Sequence, residues 1–309
     1  MRLKCMALNS YTAALNDPDV EKLRQLLHER GFEFSEKQYA HYNAKKGKLN
    51  VTVYQKGPKV LVQGKETEDF VQFILEPEIL GEARLGNDEV LMPEMFEPHF
   101  GIDESGKGDF FGPLVIAGVY VDKSSARSLI DQGVTDSKRI SSDAKIGKLA
   151  KLIRSTPGVS WEVIPLRPEK YNELYAKFGN LNRMLAWGHA RVIASLAEKV
   201  PSCPRALSDQ FAREEVLQRA LKQQGEAVAH IELQQRTKGE SDVAVAAASI
   251  LAREAFVDWI SRASEKGGVT MPLGASSLVI DAARKIVAKH GNGILTKIAK
   301  THFKTTQQI

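Results

Sequence analysis

Gly101-Ile102-Asp103-Glu104-Ser105-Gly106-Lys107-Gly108-Asp109-Phe110-Phe111-Gly112-Pro113 runs directly into the apolar stretch Leu114-Val115-Ile116-Ala117-Gly118-Val119-Tyr120-Val121. A Gly-rich turn between two short strand-like runs predicts a hairpin, and with it a sheet that is at least partly antiparallel. Carboxylates side by side repel by roughly 4 kcal/mol at ~4 Å in an effective dielectric near 20, unless water or a cation screens them. Asp103 and Glu104 therefore point to a divalent metal. Glycines on either side of Lys107 let main-chain N–H groups approach a phosphate or a sugar. Metal and phosphate together point to nucleic-acid chemistry.

A nucleotide-triphosphate loop is the obvious competitor, because Gly101 to Lys107 spells G-x-x-x-x-G-K. The next residue is Gly108 where that motif needs Ser or Thr for magnesium. Asp103 and Glu104 would also put negative charge into the phosphate cradle, and Pro113 does not continue a helix.

Outward from this stretch, strand-like runs at Val115–Val121, Trp161–Leu166, Arg205–Ser208 and Ala227–Glu232 alternate with helical patterns near 142–154, 168–177, 180–199, 214–224 and 242–263. Alternation of this kind predicts an α/β domain with a mixed sheet and flanking helices. The N-terminal part reads differently. Asp17-Pro18 opens a helix, with Asp17 as the capping carboxylate and Val20, Leu23, Leu26 and Leu27 on one stripe. Leu49, Val51 and Val53 alternate with polar neighbours before the turn Lys56-Gly57-Pro58-Lys59 and the run Val60-Leu61-Val62. Thr67 is placed to cap a second helix with Phe70, Phe73 and Ile74 on one face. These elements predict a small α+β domain over residues 1–82, a linker over 83–98 rich in Pro, Gly and acidic residues, and the α/β domain over 99–309.

The chain has 309 residues, 43% of them hydrophobic, and a formal net charge of +5. No apolar stretch approaches the ~20 residues that span a bilayer, and Asn9, Ser10 and Tyr11 interrupt any signal-peptide core, so the expected location is the cytoplasm. Cys5 and Cys203 form no metal or disulfide spacing. Charge is unevenly spread. Seven lysines (Lys37, Lys45, Lys46, Lys48, Lys56, Lys59 and Lys65) occur without an acidic residue between them, interleaved with Tyr39, His41, Tyr42 and Tyr54. After Asp281 come only the cations Arg284, Lys285, Lys289, Lys297, Lys300 and Lys304. Two basic surfaces suit a polyanion gripped at two places. No dimerisation seam is visible, so a monomer is expected.

Two-metal phosphodiester chemistry needs further carboxylates converging on the first pair. Asp209 follows the short run Ala206-Leu207-Ser208, although it is also placed to cap the helix at Glu214. A fourth is expected where the alanine-rich helix Val243 to Ile250 begins, from Glu240 or Asp242, the other being a helix-dipole charge.

These motifs together resemble type 2 ribonucleases H. The first signature is Gly101 to Pro113; Thr135-Asp136-Ser137-Lys138-Arg139-Ile140-Ser141 resembles the family's Asp-Ser-Lys segment; Ser208-Asp209 stands where its third acid belongs; and Ala247-Ala248-Ser249-Ile250-Leu251-Ala252-Arg253 resembles its late helix. Lys107 in place of arginine, followed by Asp-Phe-Phe-Gly, and the additional N-terminal domain make the resemblance closer to ribonuclease HIII than to ribonuclease HII. The resemblance implies a ribonuclease H-like fold and an N-terminal domain like the TATA-binding protein. It implies an endonuclease that cuts the RNA strand of RNA–DNA hybrids with Mg2+ or Mn2+, two ions with substrate bound, leaving 5′-phosphate and 3′-hydroxyl ends. Carried onto this chain, Asp103, Glu104 and Asp209 hold metal, and Glu240 is the fourth catalytic carboxylate because Lys238 before it aligns, with Asp242 as the alternative. Ser105, Gly106, Lys107 and Gly108 meet the ribose 2′-OH and its phosphate, Ser137 and Lys138 the nucleic-acid backbone, and Tyr39, Lys45, Lys46, Lys48 and Tyr54 the duplex from the N-terminal domain. Two other readings stay open: incision at single ribonucleotides in DNA, as for ribonuclease HII, and a binding module without catalysis.

Overall fold

Alternation in Leu49-Asn50-Val51-Thr52-Val53-Tyr54 sends the odd-numbered side chains to one face of a strand and the even-numbered to the other. In the computed structural model, which describes residues 9–81, 92–140, 142–237 and 239–309, Leu49, Val51 and Val53 are buried accordingly. The chain divides into two compact units, Met1–Glu94 and Met95–Ile309. Residues 83–91 of the expected linker, together with Cys5, Ser141 and Lys238, lie outside the described residues.

The first unit is an antiparallel sheet of β1 (Ser10–Ala14), β2 (Glu33–Ser35), β3 (Ala40–Lys46), β4 (Leu49–Tyr54) and β5 (Lys59–Gln63), ordered β1-β5-β4-β3-β2. One face carries Val51, Val53, Val60 and Val62, which pack with Leu23 and Leu27 of α1 (Asp17–Glu29) and with Phe70, Val71 and Leu75. Each such side chain, fully buried, contributes ~1.5–3 kcal/mol.

Two local expectations change. Asn16, not Asp17, caps α1: its side chain accepts from the Asp19 N–H while the Asp19 carboxylate accepts from the Asn16 N–H. Asp17 stands one residue inside the helix, where a carboxylate still favours the dipole. The second helix, α2, is a single turn (Thr67–Phe70) that widens into a π-helix over Val71–Leu80. Thr67 does not cap it, its hydroxyl donating instead to the Gly64 carbonyl. Because π-helical winding adds more residues per turn, Phe73 leaves the apolar stripe and is 63% exposed while Phe70 stays buried.

The second unit is a mixed sheet ordered β10-β9-β6-β7-β8. Its strands are β6 (His99–Ser105), β7 (Leu114–Val121), β8 (Ser160–Leu166), β9 (Arg205–Asp209) and β10 (Glu232–Arg236). β6 and β7 form the expected antiparallel hairpin, β8 adds antiparallel to β7, and β9 and β10 add in parallel on the other side of β6. The strand expected over Ala227–Glu232 is a correction: Glu226–Val228 is a 3-10 turn and the strand runs from Glu232 to Arg236. Gln234, Gln235 and Arg236 hide it from a hydrophobic pattern, as befits a sheet edge. The helices are α3 (Lys123–Asp131), α4 (Asp143–Ser155), α5 (Pro168–Phe178), α6 (Leu181–Lys199), α7 (Glu214–Lys222), α8 (Val243–Gly267), α9 (Ser277–His290) and the single turn α10 (Leu295–Ile298). The sequence pattern did not predict α3 or α9, although Val279, Ala282, Ala283 and Ile286 give α9 a helical stripe and all four are buried. Among the described residues no helix is long and apolar enough to cross a membrane.

α6 covers one face of this sheet and α8 the other. At Gly118 a Cβ would come within 2.5 Å of Val192 and 2.7 Å of Leu196, both on α6. At Gly101 it would lie 2.2 Å from the main chain of Ala244 and Val245 on α8. Replacing Gly101 by alanine is expected to lower the unfolding free energy by about 3 kcal/mol, the upper end of ordinary overpacking, because main chain cannot step aside as a side chain does. Urea denaturation reads this directly, and a loss below ~1 kcal/mol would mean that α8 yields at little cost.

Candidate active site

β6 ends in Asp103 and Glu104, and strand alternation turns these neighbours to opposite faces of the sheet. Asp103 goes with Gly101 to the α8 side, where its carboxylate is hydrogen-bonded to Ser249 and accepts from the Glu104 N–H at 2.8 Å. Glu104 goes with Ile102 to the α6 side, where Oε2 lies 3.1 Å from Nε2 of His189 and Oε1 3.5 Å from the Lys107 ammonium. The two carboxyls therefore differ. Burial, reinforced by the charge of Glu104, pushes Asp103 up to about 7. Burial would raise Glu104 as well, but His189 and Lys107 outweigh it and hold Glu104 below the ordinary carboxylate value.

β9 pairs in parallel with β6 and ends level with it, which puts Asp209 beside the first pair. Asp209 does not cap the following helix. Its Oδ1 accepts from the Gly239 N–H at 3.2 Å, and that helix begins at Arg213 without any side-chain cap. Glycine at 239 lets the two segments lie close, since a Cβ would sit tightly against the Asp209 main chain at 3.0 Å. The 3-10 turn Gly239–Ser241 then delivers Glu240 to the same place. Asp242 goes elsewhere: it is the N-cap of α8, accepting from the Ala244 and Val245 N–H groups, and its carboxylate also meets the buried His99 at 3.0 Å.

Lys138 marks where the acids converge. Burial alone would lower its ammonium, but Glu240, Asp103, Asp136 and Asp209, in that order, raise it above the usual lysine value. The Asp-Ser-Lys segment holding it is fixed from α8. Arg253 donates to the carbonyls of Ser137 and Ile140, and the Ser137 hydroxyl lies 2.6 Å from that of Ser249. Ser137 is thus 5% exposed and engaged inside the protein, whereas Lys138 reaches the acids.

The glycine turn sits beside Glu104. Gly106 has φ +86°, and a Cβ there would meet the Pro113 carbonyl at 2.3 Å and the Phe256 ring at 2.8 Å. The Asp109 N–H closes the turn on the Gly106 carbonyl, Lys107 lies over the Phe211 ring, and Gly108 is open to solvent. Oxygen-only donors of this kind suit hard divalent cations. Among the described residues no three His, Cys, Asp or Glu side chains already close around one point, as expected of like charges held apart on two sheet faces.

The first unit carries its own polar surface, on the sheet face away from the helices. Tyr39, 74% exposed with φ +63°, and Tyr54 line a shallow groove of 460 Å³ with Thr12, Lys56, Lys59 and Leu61. The Lys37 ammonium lies 5.7 Å from the Tyr54 ring centroid. Lys45 and Lys48 are exposed. Lys46 is turned to the helix face instead, donating to the Arg30 carbonyl at the end of α1. Tyr42 is a core residue whose hydroxyl donates to the Val20 carbonyl.

Sequence reasoning missed His189, which joins Glu104 to Ser208 across the sheet. It lies within the apolar stripe of α6, where a lone histidine reads as core. Lys300, counted among the surface cations of the tail, is fully buried.

Residues 100–306 match the ribonuclease HII family, and residues 13–82 match a domain of unknown function, DUF3378. Ribonuclease HIII of Chlamydia pneumoniae is 44% identical over 304 residues, covering 97% of each chain. That of Chlamydia muridarum is 46% identical over 289 residues, covering 93% of this chain and 92% of the relative. The crystal structure of Bst-RNase HIII in complex with Mn2+ superposes with a TM-score of 0.66 at 28% identity, over 97% of both chains. Four acids brought to one sheet end behind a glycine turn, and likeness along almost the whole length, lead to one assignment: the chain belongs to the ribonuclease HIII family, among the type 2 ribonucleases H.

Proposed function

We propose that this protein is an endonuclease that hydrolyses the RNA strand of RNA–DNA hybrids, with Asp103, Glu104, Asp209 and Glu240 as its catalytic carboxylates. The observation that carries the proposal is the convergence of Asp103, Asp209 and Glu240 on Lys138 at the end of β6 and β9. Glu240 is preferred over Asp242 as the fourth acid because the Asp242 carboxylate is engaged as helix cap and partner of His99. Asp103, Glu104 and Asp209 would hold Mg2+ or Mn2+, which when bound would supply Lewis-acid activation of water and charge stabilisation for in-line phosphodiester hydrolysis. Glu104, kept ionised by His189 and Lys107, is ready to ligate, whereas Asp103 must first give up its proton. The turn Ser105-Gly106-Lys107-Gly108 reads the ribose 2′-OH and the adjacent phosphate, the hydroxyl being what separates RNA from DNA. Lys138 contacts the backbone while balancing the acids. In the first unit, Tyr39, Tyr54, Lys45 and Lys48 provide a second grip on the duplex, with lysines for phosphates and tyrosine hydroxyls for the sugar–phosphate backbone. The products carry 5′-phosphate and 3′-hydroxyl ends, and the enzyme works as a cytoplasmic monomer.

Asp103→Asn and Asp209→Asn are each expected to reduce hybrid cleavage about 1000-fold, the scale of one lost transition-state electrostatic contact, while hybrid binding persists. End-labelled RNA–DNA hybrid and DNA with one embedded ribonucleotide, incubated with either metal, decide the substrate. Cuts throughout the hybrid support the proposal; efficient cutting at the lone ribonucleotide favours the junction-specific reading; binding without cutting leaves a binding module.

Asp103 also sets a pH dependence. Its folded value of about 7 lies above the ordinary carboxylate value, so its contribution to stability is present below about pH 4 and is lost as pH rises toward 7. A cation binds the ionised form and restores what was lost, so the rise in melting temperature with MnCl2 is expected to be larger at about pH 8 than at about pH 6. Asp103→Asn is expected to flatten that difference, and an equal shift at both pH values in the wild type would contradict the assignment.

Replacing Tyr39 and Tyr54 by alanine is expected to weaken hybrid binding by about 0.5–1.5 kcal/mol per tyrosine, the value of one hydrogen bond to the backbone. The single-turnover rate at saturating substrate stays within about twofold, because the tyrosines are assigned to binding alone. A matching fall in that rate would show that this face takes part in the chemical step.

A further inference from the structure

A lysine inside a protein is costly unless its ammonium is satisfied, since removing the charge from water costs several kcal/mol. Lys300 is fully buried. Burial pulls its amine down to about 7, and in the protonated form its three N–H groups have three acceptors, all main-chain carbonyls of the signature loop: Asp109 at 2.9 Å, Phe111 at 3.3 Å and Gly112 at 2.7 Å. Tyr171 and Phe256 complete the cage, with ring centroids 5.6 and 5.9 Å from the nitrogen. An apolar side chain of similar length would fill the same space without the desolvation cost. What the ammonium adds is three directed hydrogen bonds to a loop outside any helix or long strand.

The surroundings show what that loop holds. The Lys300 N–H donates to the Phe110 carbonyl, and the Gly112 N–H to the Ile298 carbonyl, so the tail is laced to the loop by main chain as well. From the other side Phe110 N–H donates to the Gly274 carbonyl, and Gly274 N–H donates to the Asp109 carboxylate at 2.6 Å. Phe256 touches both Lys300 and the position where a Cβ on Gly106 would lie. One ring thus connects the buried ammonium to the turn that faces substrate.

We propose that Lys300 is a positioning residue, whose ammonium fixes the main chain of Asp109–Gly112 and through it the Gly106–Gly108 turn in the register that recognises a ribose. The inference rests on the function proposed above. It assigns ribose discrimination partly to a residue that never meets the substrate. A displacement of the turn by ~1 Å is enough to cost on the order of 100-fold in rate.

The test compares wild type with Lys300→Met and with Lys300→Gln, the latter keeping two donors on a side chain one atom shorter. Hydrogen exchange, thermal melting, and binding to an RNA–DNA hybrid and to a DNA duplex of the same sequence are measured with MnCl2 present. The expected result is faster exchange at Phe110 and Gly112 with β6 and β7 unchanged, and a hybrid-over-DNA preference reduced by at least ~10-fold in the folded variants. Lys300→Gln is expected to fall between Lys300→Met and wild type. Unchanged loop exchange or unchanged preference in either folded variant overturns the proposal. So does general destabilisation with the preference intact, or failure of both variants to fold, because Lys300 would then support the domain rather than the turn. A wild-type protein that does not distinguish the two duplexes removes the underlying function, and the inference with it.

Discussion

The contact of helix α8 with strand β6 is main chain against main chain, made possible by Gly101 beneath Ala244 and Val245. While Glu104 answers to His189 on α6, the α8 side of the site is referred to that helix. Its cap, Asp242, leaves Glu240 just outside the first turn. One face then carries Ser249 to Asp103, Arg253 to the Asp-Ser-Lys segment, and Phe256 and Ile260 to the glycines of the signature loop. Spacings of three and four residues keep these side chains on one side of a helix. Rows of alanine between them let it lie close enough for short side chains to reach. A helix held at the usual distance by bulky residues could not serve a serine and a phenylalanine equally.

Charge is managed by distribution rather than by pairing. Asp103 and Glu104 are adjacent in sequence yet leave the strand on opposite faces, one toward Ser249 and the other toward His189. The outcome is one carboxyl that keeps its proton to about 7 and one held below the ordinary range. Like charges crowded at a site push their protonation apart in this way. Lys138 on the α8 side and Lys107 on the α6 side each balance part of the charge without closing the site.

The first unit divides its surfaces with equal economy. Valines on one face of the sheet bury two helical segments, and the opposite face is left to Tyr39, Tyr54, Thr52 and lysines. Strand parity separates Lys45 from Lys46, so that of two adjacent lysines only one belongs with the exposed tyrosines. A block of cations in a sequence therefore overstates the charge available to a polyanion.

By itself the sequence determined the two architectures, the β6–β7 hairpin, and two of the proposed acids, Asp103 and Glu104, because alternation, helical periodicity and the density of acids and glycines are local properties. Asp209 stood open between capping and catalysis until the parallel pairing with β6 placed it beside Asp103. In the sequence Glu240 is preferred over Asp242 on the aligned Lys238; what the sequence hides is that the helix end and His99 engage the Asp242 carboxylate. His189 and Lys300 were hidden for a shared reason: each is polar among apolar neighbours, and its partners lie 85 and about 190 residues away in sequence. Phe73 left its predicted face because a π-helix changed the period. Pattern reports which residues share a face of one element; only tertiary structure decides what that face meets, since partners for buried charge come from elements distant in the chain.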